Sequence, residues 1–259
     1  MSSTLHKRPN RTSQAYFSLR DKITSGMLVP GQVVSEASLA KELGISRTPI
    51  GEALRRLAHE GLVEQVPRYG TIVRQFSTTE LIELFEIREA LEGMAAMKAA
   101  ERISTDALAE LAHLHQTIED EMAKAESASV ELVEGESLSK FLSADIAFHM
   151  LIIASTGNRR LMEMTENTRS IASTFNAKCG NLYSVQRIRT ANAGHKGILD
   201  ALVRRDGAEA QRLIVEHIRS WREQSLRQRE RRDPVTLGTI NLPDFVRQDL
   251  DRDRLTATP

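Results

Sequence analysis

Four side chains in the second half of the chain are of types that bind divalent metals: Asp145, His149, His195 and His217. Asp145 and His149 stand four apart in SADIAFHMLI, so on a helix both project from one face at chelating distance. His195 precedes Ile198, Leu199 and Leu202 at helical spacing, and His217 sits in RLIVEHIRSW with Leu213, Ile214 and Trp221. Each histidine is therefore predicted on the apolar, inward side of its helix. Three imidazoles and a carboxylate in an apolar interior suit a divalent transition metal with one position open to water or a ligand oxygen. The same pattern also describes hydrogen-bonded core histidines, or a metal-free polar ligand site, and spacing alone leaves these open. The set superficially resembles a two-histidine, one-carboxylate iron centre, which would make the chain a hydrolase or an oxygenase. Against catalysis, all four groups would be consumed as ligands, and no separate general base stands in a recognisable motif. Arg88, on an amphipathic stretch with Leu81, Leu84, Phe85 and Leu91, suits either a bidentate carboxylate clamp or an ion pair with Glu92. His6, His59, His113 and His115 lack such settings and read as surface or structural.

The elements that must position these residues are helices. From residue 79 to about 232 the apolar period is helical almost throughout, giving candidate helices over 79–101, 105–126, 138–156, 159–181, 185–205 and 207–231. Breaks fall at Ser104, around Glu134-Gly135-Glu136, at Gly157-Asn158 and at Asp206-Gly207, all turn or cap residues. About six helices over this length form an antiparallel all-α bundle, residues 80–232, so the fold class is mainly α. Residues 233–259 are polar and charged and read as a disordered tail.

The first third has a different grammar. Ser35 can cap a helix carrying Leu39, Ala40 and Leu43; Gly44 ends it; Ser46 or Thr48 opens a second helix with Ala53, Leu54 and Leu57 inward. Two apolar runs, 62–66 and 71–73, flank Pro67-Arg68-Tyr69-Gly70 and predict a two-stranded hairpin. A helix opened by small hydroxyl residues and Arg47, followed by a wing with a basic-aromatic tip, is what a major-groove reader requires. Residues 11–75 are thus read as a winged helix-turn-helix, residues 1–10 as a basic arm and 76–79 as a linker.

Charge agrees with that division. The net charge is zero, but residues 1–76 hold 11 Lys+Arg against 6 Asp+Glu, a net of +5, and the remainder is −5. A basic head on an acidic body presents one end to phosphates. One cysteine, Cys179, excludes a disulfide within the chain and fits a reducing cytoplasm. No apolar run approaches the roughly 20 residues of a membrane span, and the N-terminus lacks a signal peptide's apolar core.

The residues from Pro30 to Gly70 carry a resemblance. Pro30-Gly31, Ser35-Glu36, Leu39-Ala40, Leu43-Gly44, Ser46-Arg47-Thr48-Pro49, Glu52-Ala53-Leu54-Arg55-Arg56-Leu57 and Gly61-Leu62-Val63 resemble the winged helix-turn-helix of the GntR family of bacterial transcription regulators. The resemblance implies that Ser35, Ser46, Arg47, Thr48, Arg55, Arg68, Tyr69 and Gly70 face a double-stranded DNA operator. Ala37 and Gly51 depart from it, standing where relatives place DNA-contacting arginines. The body is similar to the FCD effector domain of the FadR subgroup through Glu86-Ile87-Arg88, Leu91-Glu92, Asp145, Phe148-His149, Gly157-Asn158, His195, Ile198-Leu199-Asp200-Ala201-Leu202 and His217. This implies Asp145, His149, His195 and His217 as ligands of a divalent metal, zinc by default with nickel or manganese fitting. It also implies a small organic acid effector met by Arg88, and a homodimer. Gly194 departs, where relatives often carry glutamate, and is expected to loosen the groups that orient His195.

Overall fold

The computed structural model describes the backbone of residues 10–178 and 183–232; Cys179, the expected arm up to residue 9 and the expected tail from 233 lie outside these residues. They fall into two compact units that divide between Thr78 and Thr79, with residues 170–178 grouped with the first.

The first unit opens with α1 (Arg11–Thr24), whose N-cap Asn10 accepts a hydrogen bond from the Thr12 amide at 3.2 Å. Ala15, Tyr16, Leu19 and Ile23 form its buried stripe, which packs on α3 (Arg47–His59). The Tyr16 hydroxyl donates to Glu60 at 2.8 Å, and the Arg56 guanidinium lies 3.7 Å over the Tyr16 ring, fastening α1 to the end of α3. Between them lies α2 (Glu36–Leu43), capped by Ser35, which accepts from the Ser38 amide at 3.3 Å. Gly44, at φ 65°, takes the left-handed conformation that a tight turn into α3 needs.

The wing differs from the two-stranded expectation. Strands β2 (Val63–Val66) and β3 (Gly70–Val73) form the hairpin, but β1 (Val33–Val34) joins β3 on its other side, giving the order β1-β3-β2. Val33 pairs with Ile72 and Val34 with Thr71, both antiparallel. A two-residue strand offers no alternation to read, so only the pairing reveals it.

The six expected helices follow: α4 (Thr78–Arg102), α5 (Thr105–Ser127), α6 (Gly135–Ala154), α7 (Arg159–Lys178), α8 (Val185–Val203) and α9 (Gly207–Arg232), of which the second unit holds all but the first residue of α4 and residues 170–178 of α7. Helix α6 begins three residues before the expected 138, at the Gly135 that had been read as part of a break. It packs on α5, α5 on α8, and α8 on α9. The core joins Ile118, Met122, Phe141, Ala144, Tyr183 and Ile188, with Trp221 packed against them. Gly93 lets α4 approach α9 closely: a Cβ there would stand 2.9 Å from Val215 Cγ2.

Helix α6 also corrects the expectation that no stretch approaches membrane-spanning length. By length and composition it is apolar enough to cross a bilayer. It serves instead as a core helix, with Phe141, Ala144, Phe148, His149, Ile152 and Ile153 buried. Its two site residues, Asp145 and His149, lie on the same turns.

Candidate functional site

Helices α6, α8 and α9 bring the four sequence-predicted ligands together. One donor atom from each of Asp145, His149, His195 and His217 lies within 4.8 Å of all the others. His149 Nε2 and His217 Nε2 are 3.2 Å apart, and His195 Nε2 lies 3.4 Å from Asp145 Oδ1. His149 and His195 are buried and His217 is partly buried, on the sides their flanking apolar residues predict. His195 is fully buried, stacks on Phe148 at 4.4 Å, and has neither ring nitrogen hydrogen-bonded among the described residues. Its Nδ1 has no partner and its Nε2 only the long contact to Asp145, an arrangement that is costly for a buried imidazole and that a metal on Nε2 relieves in part. The donor set therefore fits a divalent metal of the nitrogen-preferring kind.

A layer of charge lies behind the cluster. His149 Nδ1 meets Glu92 Oε2 at 2.7 Å; with the proton on Nδ1, Nε2 is left free to act as a ligand. Glu92, on α4, is fully buried and also accepts from Arg88 Nε at 2.7 Å and from Arg169 Nη1 at 3.0 Å. Arg169, from α7, donates its Nη2 to Asp145 Oδ2 at 3.1 Å. The sequence offered Glu92 as a partner for Arg88, a pairing the structure shows, but not as the group behind His149, and Arg169 was not singled out at all. The signal for Arg169 was there: it continues the buried α7 stripe of Leu161 and Thr165, where an arginine needs an internal acid.

The electrostatics keep the ligands ready. Burial pushes the His149 imidazole down to about 4, helped by Arg169 and opposed by Glu92. Burial, with His195 and His149 beside it, holds His217 well below the ordinary histidine range. For Asp145, burial would raise the carboxyl, but the contact with His195 and the charges of His149 and Arg169 prevail and lower it. In Glu92 burial is likewise outweighed by Arg88, Arg169 and His149. Near neutral pH the site thus presents ionised carboxylates and two imidazoles held neutral, the forms that ligate metals.

Arg88 is buried and forms the ion pair with Glu92 that its spacing allows; only Nε is engaged in it. Gly194 proves relevant to a different histidine from the one expected: a Cβ at Gly194 would lie 2.6 Å from His217 Nδ1. Among the other histidines, His115 shares a polar contact with the buried Asn192 at 2.9 Å and is structural.

The reading face of the first unit is equally definite. Ser46, Arg47, Thr48 and Arg55 are exposed, and 47, 51 and 55 follow at intervals of four along one side of α3. Ser35 is exposed too, but its side-chain oxygen serves as a helix cap, whereas Ser46 makes no side-chain cap bond. At the wing tip Arg68 is exposed with φ 69°, next to the half-buried Tyr69 and to Gly70 at φ 88°. Glu36 reaches this face, 3.8 Å from Arg47.

Comparison with known proteins agrees with both halves. Residues 11–73 match the family described as "Bacterial regulatory proteins, gntR family", and residues 83–220 match the FCD domain. A probable D-xylose utilization operon transcriptional repressor of Paenarthrobacter nicotinovorans is 31% identical over 83% of this chain and 90% of its own length. The transcriptional repressor RspR of Escherichia coli is 27% identical over 83% of this chain and 88% of its own. Among solved structures, E. coli McbR/YncC shares the fold with a TM-score of 0.71 at 22% identity, covering 85% of this chain and 99% of that one. A winged head, a helical body built over six helices and these matches together exclude the enzyme reading: the chain belongs to the GntR family of bacterial transcription regulators, with an FCD domain as its body.

Proposed function

We propose that this regulator is a cytoplasmic homodimer that senses a small organic acid through a divalent metal, zinc by default, held by Asp145, His149, His195 and His217. The observation that carries the reading is the convergence of four donor atoms within 4.8 Å, one of them on a buried histidine held only by a 3.4 Å contact to Asp145. Bound there, the metal supplies a Lewis-acidic position for a carboxylate or hydroxyl oxygen. The chain's own residues do the rest. Glu92 orients His149, Arg169 holds Asp145, and Arg88 would meet the acid through its terminal nitrogens, since Nε is on Glu92. Exposed Ile87 and Met94, seven apart on α4, support a second copy packing there.

The two heads would then place Arg47, Ser46, Thr48 and Arg55 in successive major grooves of a pseudo-palindromic operator, with Arg68, Tyr69 and Gly70 beside the flanking groove and Ser35 holding α2 in register. Effector binding changes DNA affinity by favouring one arrangement of the regulator over another, and by no more than its difference in affinity for the two. The residues around 76–79 are the proposed joint.

Elemental analysis of the purified protein, with operator titrations in the presence and absence of citrate as a chelating-acid probe, tests this. The wild type is expected to carry about one metal per chain and to change its operator affinity with citrate. His149→Ala/His195→Ala is expected to lose both while retaining helical content and operator binding. Unchanged metal and an unchanged citrate response in that variant would sink the proposal, as would a metal-free wild type.

A further inference from the structure

We propose that Glu36 is a base-reading residue: together with Arg47 it selects one C·G pair in each half-site, the carboxylate taking the cytosine and the guanidinium the guanine. The inference rests on the placement of α3 in the major groove proposed above. Glu36 opens α2, where an acid suits the helix dipole, and this accounts for its charge but not for its direction. Its carboxylate turns toward α3, 3.8 Å from Arg47 Nη2 and 3.5 Å from the point where a side chain at residue 51 would begin. Residues 47 and 51 share the exposed side of α3, so the carboxylate overlies the stripe that would enter the groove. Gly51 leaves it uncovered there, having no side chain to screen or neutralise it.

The carboxylate is not tied up within the protein. At 3.8 Å the contact with Arg47 is past hydrogen-bond range, and an exposed ion pair of this kind holds its partners weakly. Other acids of the same unit are engaged: Glu42 accepts from Lys22, Glu52 from Thr12 Oγ1 at 2.6 Å and Glu60 from Tyr16 at 2.8 Å. Glu36 has no hydrogen-bond partner among the described residues. A bare carboxylate on a face that meets a polyanion costs affinity unless the DNA supplies a donor. The major groove offers the cytosine N4 and adenine N6 amino groups, whereas guanine and thymine present acceptors. Adenine sets its N7 acceptor beside the amino group, and cytosine presents a donor alone. A group that only accepts therefore selects cytosine. The guanine paired with that cytosine turns O6 and N7 into the groove, where the neighbouring Arg47 donates to both.

Site selection from a random duplex pool with the full-length protein, followed by titration of the four bases at each position, tests this. The wild type is expected to prefer cytosine by about 5–150-fold at one position per half-site. Glu36→Gln, whose amide both donates and accepts, is expected to move that preference to adenine. Glu36→Asp keeps the charge but withdraws it by one methylene; it is expected to lose the cytosine preference while keeping the wild-type salt dependence. A cytosine preference unchanged in both variants would overturn the inference, as would a wild type without any cytosine position. Arg47→Ala separates this result from the reading beneath it. If Arg47→Ala selects the same sites as the wild type, the placement of α3 fails. If it alters them while both Glu36 variants do not, only the role of Glu36 fails. Should Glu36→Gln fold poorly, Glu36→Asp alone decides.

Discussion

Gly51 sits on α3 between Arg47 and Arg55, on the face that would enter the groove, and nothing blocks a side chain there. A Cβ would meet the Glu36 carboxylate at 3.5 Å, an ordinary distance to a flexible group. Gly51→Ala is therefore expected to stabilise the head by about 1 kcal/mol through helix propensity, which thermal unfolding will register. Gly51→Arg adds a cation to the same face and is expected to tighten operator binding and steepen its salt dependence by about one phosphate contact; titrations across a salt series measure both. At this scale the sequence revealed residue types and concealed their partners. The Asp145–His149 spacing and the apolar flanks of His195 and His217 pointed to four side chains that the body does bring together. The spacing of Glu92 to Arg88 was legible, but its bonds to His149 and Arg169 appear only where α4, α6 and α7 converge on it.

Among the elements, α4 deserves the sharpest test because its Glu92 neutralises arginines from two helices and orients a histidine on a third. Glu92→Gln keeps the shape and removes the charge, leaving Arg88 and Arg169 under-compensated in the interior. It is expected to destabilise the body by about 3–5 kcal/mol in urea unfolding and to weaken metal binding by about 10–100-fold. A loss below about 1 kcal/mol would show that the arginines find other compensation. The six body helices were legible because each is long and periodic; most described ends fell within about two residues of the expected ones, α6 starting three residues early at Gly135. Helix α1 was not read in the sequence, although Ala15, Leu19 and Ile23 mark its buried stripe. Strand β1 has none, since two residues define no period. Helix α6 misleads in a third way: its composition resembles a lipid-facing span, although Asp145 and His149 stand on it and Phe148, Ile152 and Ile153 are buried in the body.

For the whole molecule, the buried titratable groups predict a direction with pH. His149 and His217 are held below their ordinary range, so as pH falls through about 6.5 the unfolded chain takes up protons that the folded chain refuses. Stability of the metal-free body therefore declines from about pH 6.5 to about 4, by about 3 kcal/mol for His149 alone. Asp145 and Glu92, whose folded values are also depressed, continue the decline below the ordinary carboxylate range. Melting temperatures of chelator-treated protein at pH 7, 6, 5 and 4 should fall at each step, and a flat series would contradict the assigned electrostatics. The head has a wholeness of its own, and strand β1 is responsible for it. Because Val34 pairs with Thr71, the sheet closes a loop around both reading helices. Closing a loop of that size costs entropy that grows only slowly with its length, so the pairing can be held by a few buried residues. Its consequence is topological: α2 and α3 lie inside a segment whose two ends are tied together, and those ends separate only when the β1–β3 pairing parts. The smallest portable reader that this chain can yield runs from α1 through Val73, and a cut between the recognition helix and the wing would undo its beginning as well as its end.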